Sequence, residues 1–142
     1  MEIRRLTMED YEEIVKLWKR SDLPFKPKGR DSRCAFAKQM EREPGFFLGA
    51  FQGKTLVGTV VGSYDGRKGC INRLAVDPEH RRRGVAKLLV TRMEKILEKK
   101  GAAVLFALVE EQNKESVNLF EKLGYVNDRS ILYLSKRKSQ DV

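Results

Sequence analysis

Residues 74–89 read LAVDPEHRRRGVAKLL and organise the rest of the chain. An apolar run ends at a turn marked by Pro78, and a helix with Gly84 in its first turn follows. The first N–H groups of a helix lack intrahelical partners and its dipole is positive there, so anions bind favourably. Gly84 and Ala86 leave the backbone accessible, and the surrounding cations are Arg81, Arg82, Arg83 and Lys87. The stretch predicts a phosphate site. Taken alone, these residues fit equally well a solvated, basic helix start in which the glycine only eases a tight turn.

The composition is typical of a folded domain. The chain has 142 residues, 41% apolar and 35% charged, which suits one domain over 1–142 and is too short for two good cores. The net charge of +9 favours an anionic partner: a nucleic acid, a membrane surface or a polyphosphate cofactor. No apolar run reaches the roughly 20 residues of a membrane span. The N-terminus lacks the apolar core of a signal peptide, so we expect a cytoplasmic protein without a membrane partner.

Residues suited to metal or thiol chemistry are scarce. The chain holds one histidine, His80, and two cysteines, Cys34 and Cys70. They are too few for a disulfide framework, a metal cluster or a nucleophile paired with histidine. We therefore expect no metal, a buried Cys34 within a helix and His80 in a solvated turn.

The spacing of apolar residues predicts an antiparallel meander of strands leading into the anion-binding turn. A crossover helix then places the next strand, Ala103–Val109, parallel to the last strand of the meander, and its continuous apolar run predicts cover on both faces. Gly58 and Gly62 indicate the close approach of a neighbouring element, or a bulge. The predicted strands are Ile3–Leu6, Phe46–Phe51, Thr55–Tyr64, Cys70–Val76, Ala103–Val109, Tyr125–Val126 and Ile131–Leu134. The predicted helices begin after Thr7, span Ser32–Arg42 and Arg83–Lys100, and run from Asn113 to Gly124.

Two blocks of sequence resemble a known family. Arg81-x-x-Gly84-x-Ala86 resembles the pyrophosphate-binding motif of the GNAT (GCN5-related) N-acetyltransferases, written there as Gln/Arg-x-x-Gly-x-Gly/Ala. Residues 113–125, NKESVNLFEKLGY, are similar to the next segment of that family, Asn-x-x-Ala-x-x-Leu-Tyr-x-x-x-Gly-Phe. The blocks occur in the family's order, and the resemblance covers most of the chain from 55 to 125.

The resemblance implies an α/β (α+β) fold with a mixed, mainly antiparallel central sheet. This sheet would have about six to seven strands, helices on both faces and two splayed parallel central strands. Acetyl-coenzyme A would lie between the splayed strands, its pantetheine arm paired with strand backbone and its pyrophosphate held by the helix-start N–H groups. The implied cofactor-binding residues are Leu74, Ala75, Val76, Arg81, Arg82, Arg83, Gly84, Val85, Ala86, Lys87, Asn113, Ser116 and Phe120.

The implied reaction is transfer of an acetyl group from acetyl-coenzyme A to a primary amine of a small molecule or protein, by direct attack. The chain departs from the family at the chemical centre. Many members have a tyrosine as general acid where this chain has Phe120, and the glutamate base that others carry on a splayed strand is missing. The candidate catalytic residues are Glu110 and Glu111, just past the second splayed strand, and Tyr133 in the last predicted strand.

Two other functions fit parts of the sequence. Phe120 and the missing glutamate suit a non-catalytic domain of the same fold that binds an acyl-coenzyme A as a sensor. The charge suits nucleic-acid binding, but the arginines form one compact cluster without interleaved exposed aromatic residues, which disfavours that partner. The abbreviated C-terminal hairpin leaves the acceptor side open, or leaves room for a second subunit in a homodimer.

Overall fold

A computed structural model covers residues 1–142 and contains a single sheet with helices on both faces. The strands are β1 (Glu2–Arg5), β2 (Phe47–Gln52), β3 (Thr55–Tyr64), β4 (Lys68–Val76) and β5 (Val104–Ala107). The helices are α1 (Tyr11–Arg20), α2 (Arg33–Arg42), α3 (Val85–Lys100) and α4 (Lys114–Lys122), and short 3-10 turns occupy Met8–Asp10 and Pro78–His80. The strands lie in the order β1-β2-β3-β4-β5, and only β4 and β5 run parallel. The mixed α/β sheet is confirmed. None of the helices combines the length and apolar content needed to cross a bilayer.

Polar caps and glycines set the helix ends. A capping box precedes α1, in which the Asp10 carboxylate accepts the Thr7 backbone N–H at 2.9 Å. Helix α3 begins at Val85, two residues later than predicted, because Gly84 has a left-handed backbone with φ +79°. It ends before Gly101, which is also left-handed, as the sequence predicts.

Each face of the sheet packs against its own helices. One face lies on α3 and Phe120 of α4, and the other lies on α1 and α2 around Trp18 and Phe36. Alternation along β2 divides its side chains between the layers: Leu48 and Ala50 face α3, while Phe47 faces α1 and α2. The period-2 pattern of the sequence thus becomes two apolar layers with the sheet between them.

Helix α3 lies unusually close to β3. A Cβ atom at Gly62 would be 2.5 Å from the Met93 sulfur, and one at Gly58 would be 2.9 Å from Val85 Cγ1 and 3.0 Å from Leu89 Cδ1. Only residues without a side chain fit such distances, so the close approach predicted from these two glycines is confirmed.

The sheet has five strands rather than six or seven. The predicted strands Tyr125–Val126 and Ile131–Leu134 do not form, and Ile131 to Leu134 are 62–88% exposed. Between them, the Asp128 carboxylate accepts both the N–H and the hydroxyl of Ser130. The Ser130 N–H is therefore used within this local turn and not in a hairpin. No neighbouring strand pairs with the tail.

Two burial predictions are also wrong. Strand β5 is shorter than predicted and lies at the sheet edge, so Val104 and Phe106 are 48% and 37% exposed, while Leu105 and Ala107 pack on the α3 layer. Cys34 is exposed on α2 because Phe36 occupies the inward position of that turn. A continuous apolar run therefore marks an edge strand here.

A buried polar chain links α1 to the sheet. The Trp18 indole N–H donates to Thr59 Oγ1 at 2.9 Å, and the Thr59 hydroxyl donates to the Arg73 carbonyl at 3.2 Å. Trp18 and Thr59 are 1% and 0% exposed, so neither side chain reaches water. Thr59 is therefore the only polar bridge between the indole and the β4 backbone at this point.

We predict that Thr59→Val lowers the free energy of unfolding by about 2–4 kcal/mol, because the indole N–H and the Arg73 carbonyl both lose their partner in a buried site. Valine has nearly the same shape and suits a strand, so the effect reports the hydroxyl. Urea denaturation measures it, and Thr55→Val at the exposed start of the same strand is the matched control. Equal stabilities of the two variants would contradict the role of Thr59.

Candidate active site

Strands β4 and β5 separate part-way along their length. They pair from Lys68–Val104 to Ile71–Ala107, and the pairing stops there. The rest of β4 keeps its β3 partners on one side, as in the pair Val76–Gly58, and has no strand on the other. The parallel pairing is as predicted, and beyond Ile71 one edge of β4 is free.

A bulge at Arg73 accompanies this separation. Thr59 pairs with Ala75 and Val61 with Asn72, so β4 carries one residue more than β3 across this interval. Arg73 has φ +51°, a left-handed backbone conformation that residues other than glycine rarely adopt. A bulge bends its strand locally, which explains why β4 leaves β5 at this point.

The polar groups of Val76 point to the free edge. The Asp77 N–H donates to the Val57 carbonyl of β3, so backbone alternation turns the preceding N–H and C=O the other way. The Val76 carbonyl accordingly accepts from Arg81 Nε at 3.3 Å and from Ser21 Oγ at 3.4 Å. Its N–H faces the same open side, where it is available to a ligand.

The turn after β4 exposes backbone N–H groups. Arg82 and Gly84 are left-handed, with φ +64° and +79°, and α3 starts directly after them. Left-handed residues in a turn favour a concave cluster of N–H groups, and the first N–H groups of α3 lack intrahelical partners next to it. A Cβ at Gly84 would meet nothing within 4 Å, so space for an anion is open.

The free edge of β4 and this turn border the same broad, open cleft. All the predicted cofactor-binding residues except Arg83 line it: Leu74, Ala75, Val76, Arg81, Arg82, Gly84, Val85, Ala86, Lys87, Asn113, Ser116 and Phe120. Glu110, Glu111 and Tyr133 line it too, and the Arg83 side chain is exposed outside it. Segments far apart in sequence thus meet around one strand edge.

Two of these residues have structural partners of their own. Asn113 caps α4, its Oδ1 accepting the Ser116 N–H at 3.2 Å. Phe120 is 5% exposed and packs edge-on against Tyr125, with ring centroids 5.0 Å apart. Phe120 therefore contributes an apolar wall and no proton donor.

Asp77 fixes the turn between β4 and the anion site. Its carboxylate accepts the Glu79 N–H at 2.9 Å and pairs with Arg20 at 3.0 Å. Burial raises the pKa of Asp77, but these two partners outweigh burial and hold that pKa below its ordinary value. His80 lies in the turn as predicted but is only partly solvated: its side chain is 20% exposed, and its buried Nδ1 lies 3.9 Å from Asp77 Oδ1.

The residues that sequence reasoning missed are Asp31 and Arg73. The Arg73 guanidinium donates to both carboxylate oxygens of Asp31, at 2.9 and 2.7 Å, and burial lowers the pKa of Arg73 although Asp31 opposes that shift. The available signal was a charged residue in a strand: Arg73, next to Asn72, lies between the apolar Ile71 and the apolar run 74–76. Its partner lies 42 residues away, and no local pattern reveals such a pairing.

A comparison with protein families matches residues 2–125 to the acetyltransferase (GNAT) family. The chain is a GNAT acetyltransferase family member. Curated relatives of this GNAT protein include an acetyltransferase of Sodalis glossinidius (strain morsitans), 36% identical over 141 residues, which are 99% of this chain and 98% of that one. Another is an acetyltransferase of Yersinia pestis (strain Pestoides F), 37% identical over 137 residues, 96% of this chain and 95% of that one.

Among solved structures, this GNAT chain is similar to the PaiA N-acetyltransferase from Thermoplasma acidophilum in complex with coenzyme A. The TM-score is 0.78 at 26% identity, and the match covers 91% of this chain and 93% of that one. Family and relatives agree with the two sequence blocks, so the resemblance to the GNAT family is confirmed. No three histidine, cysteine, aspartate or glutamate side chains of the GNAT chain come together as a metal site.

We predict that Asp77→Asn lowers the free energy of unfolding by about 1 kcal/mol at pH 7, because Arg20 is 40% exposed and water screens the lost ion pair. A carboxyl with a lowered folded pKa stabilises the fold above its unfolded pKa of about 3.9 and loses that contribution as pH falls through the folded pKa. The difference from wild type should therefore shrink in acid. Urea titrations between pH 7 and pH 2 measure it, with Glu79→Gln in the same turn as control; a difference constant with pH would contradict the assignment.

Proposed function

We propose that the protein is an N-acetyltransferase that moves the acetyl group of acetyl-coenzyme A to a primary amine of a small molecule or protein. The observation that carries the proposal is one cleft that combines a free strand edge with an N–H-rich helix start. An extended amide-bearing arm suits the edge and a pyrophosphate suits the helix start. The similar Thermoplasma N-acetyltransferase, crystallised with coenzyme A, supports this reading.

The proposed binding mode assigns each end of the cosubstrate to a part of the cleft. Backbone groups of Leu74 and the Val76 carbonyl pair with the pantetheine arm, and the N–H groups from Arg82 to Lys87 hold the pyrophosphate. Arg81 releases the Val76 carbonyl as the arm binds, because both compete for the same edge. Asn113 contacts the arm, while Ser116 and Phe120 line the thioester end.

The proposed chemistry is direct attack. The amine nitrogen bonds to the acetyl carbon, the carbon–sulfur bond breaks, and the Val76 N–H stabilises the negative oxygen formed between these events. Glu110 or Glu111, acting through water, takes the proton that the amine loses. The Tyr133 hydroxyl protonates the departing thiolate, which is supported by its position in the cleft and its 62% exposure.

The acceptor side is proposed to admit a peptide or lysine more readily than an enclosed metabolite. No terminal hairpin covers the cleft, and the tail from 126 to 137 lines it only in part. We propose that residues 1–142 act as one domain in the cytoplasm. A homodimer that closes the acceptor side is the alternative, and sedimentation as a monomer in the presence of cosubstrate would exclude it.

The second candidate function is a sensor that binds acyl-coenzyme A without transferring the acyl group. The buried Phe120, without a proton to donate, is the observation that favours it. The two functions share the cosubstrate and differ in turnover, so binding and thiol release must be measured separately.

We predict that Gly84→Glu weakens coenzyme A binding on the order of 100-fold, because a carboxylate a few ångströms from a pyrophosphate repels it by a few kcal/mol. Calorimetric titration with coenzyme A measures this. Gly53→Glu is the matched control: Gly53 is also left-handed with open space around it but lies in the β2–β3 turn. Equal affinities in the two variants would refute the assignment of the anion site.

We predict that Tyr133→Phe lowers kcat about 100-fold or more and leaves the coenzyme A affinity unchanged, because general acids contribute about 10²–10⁴-fold to such steps. The assay follows free thiol released from acetyl-coenzyme A with a panel of amines and lysine peptides. Full turnover in the variant would remove Tyr133 from the mechanism. Tight binding with no thiol release from any acceptor, even in wild type, would favour the sensor.

A further inference from the structure

The segment between α1 and α2, residues 21–32, forms one end of the cleft. Ser21 to Pro24, Arg30 and Asp31 line it, facing the same stretch of β4 that has the free edge. Its own fold is held by Asp31: the Asp31 carboxylate accepts the Lys26 N–H at 2.8 Å, and the Asp31 carbonyl accepts the Tyr11 hydroxyl at 2.7 Å. The α1–α2 segment is thus a folded loop organised around one carboxylate.

Arg73 connects this segment to β4. Its Nη2 donates to both oxygens of Asp31 and its Nη1 donates to the Pro24 carbonyl. The side chains of Arg73 and Asp31 are 16% and 5% exposed, and the guanidinium lies over the Trp18 ring at 4.8 Å. A buried, multiply bonded guanidinium fixes both the distance and the orientation of the segment.

The backbone of the same residue is the left-handed position of the β4 bulge. Leu74 and Val76, the strand residues proposed to pair with the cosubstrate, follow it directly. A ligand that fixes their backbone also fixes the Arg73 backbone, and the direction of the Arg73 side chain depends on that backbone. Arg73 therefore touches both the strand edge and the α1–α2 segment, in addition to the direct contact of Ser21 Oγ with the Val76 carbonyl.

We propose that Arg73 is a positioning residue that couples the two ends of the cleft: coenzyme A bound along β4 further stabilises the α1–α2 segment through the Arg73–Asp31 pair. The inference rests on the proposed function for the occupant of the strand edge. Coupling of this kind is reciprocal, so loss of the pair also weakens coenzyme A binding. The segment that faces the acceptor would then be held more firmly when the cosubstrate is present.

Hydrogen exchange of residues 21–32, read by mass spectrometry with and without saturating coenzyme A, tests the coupling. In wild type we expect coenzyme A to slow exchange there by about fivefold or more. In Arg73→Met the slowing should vanish, and the coenzyme A dissociation constant should rise by up to the same factor. Arg73→Lys keeps the charge but not the planar guanidinium, so it should recover only part of the slowing of exchange.

Loss of one partner leaves a buried unpaired charge that can disturb folding, so the decisive variant is the double one, Asp31→Asn with Arg73→Met, which removes both charges. The matched control is Glu12→Gln with Arg33→Met, which removes an exposed ion pair of 3.1 Å between α1 and α2. The control should keep the full effect of coenzyme A on residues 21–32, and the double variant should show none.

Two results would overturn the inference, and they differ in meaning. Coenzyme A that binds wild type by calorimetry yet leaves exchange of residues 21–32 unchanged, or slows it equally in the double variant, refutes the coupling alone. Absence of coenzyme A binding to wild type refutes the proposed function and the inference with it.

Discussion

The left-handed backbone at Arg73 is the constraint on which the rest of the cleft depends. It inserts one extra residue into β4 opposite β3, and β4 pairs with β5 only up to Ile71. Without the bulge, β4 and β5 would continue side by side and each would satisfy the other's polar groups. The open edge of Val76 is therefore a direct consequence of local backbone geometry.

The two apolar layers divide the support of this site between them. The layer with α1 and α2 holds the bulge, through Thr59 and Trp18 on one side and the Asp31 carboxylate on the other. The layer with α3 holds the anion-binding turn, since Val85 and Leu89 seat the helix on the sheet. Because each layer is closely packed, the separation between strand edge and helix start is set before any ligand arrives.

Sequence reasoning succeeded where the signal is local or topological. Gly84 at the helix start, Asn113 as a cap and the parallel β4–β5 pair follow from spacing, capping chemistry and the handedness of crossovers. It failed where distant contacts decide. The apolar run of β5 says nothing of its place at the sheet edge.

The strand predicted in the tail was wrong, and the buried ion pair was not predicted, for the same reason. Ile131 to Leu134 have strand composition, yet a strand requires a partner that composition does not supply. The Asp31–Arg73 pair joins a loop to a strand 42 residues later, and only the folded chain brings them together. Strand propensity depends on the residue itself, whereas strand pairing and burial depend on the residues that the fold places around it.

The close contact at Gly58 and Gly62 fixes the position of α3 along the sheet. Met93 and Leu89 enter the two gaps left by the missing side chains, so the helix cannot slide along the sheet by one turn, about 5.4 Å, without a clash. The position of its positive end is thereby set by its contacts with β3. Residues along the cleft can change to suit another acceptor while the anchoring point for phosphate stays where the glycines put it.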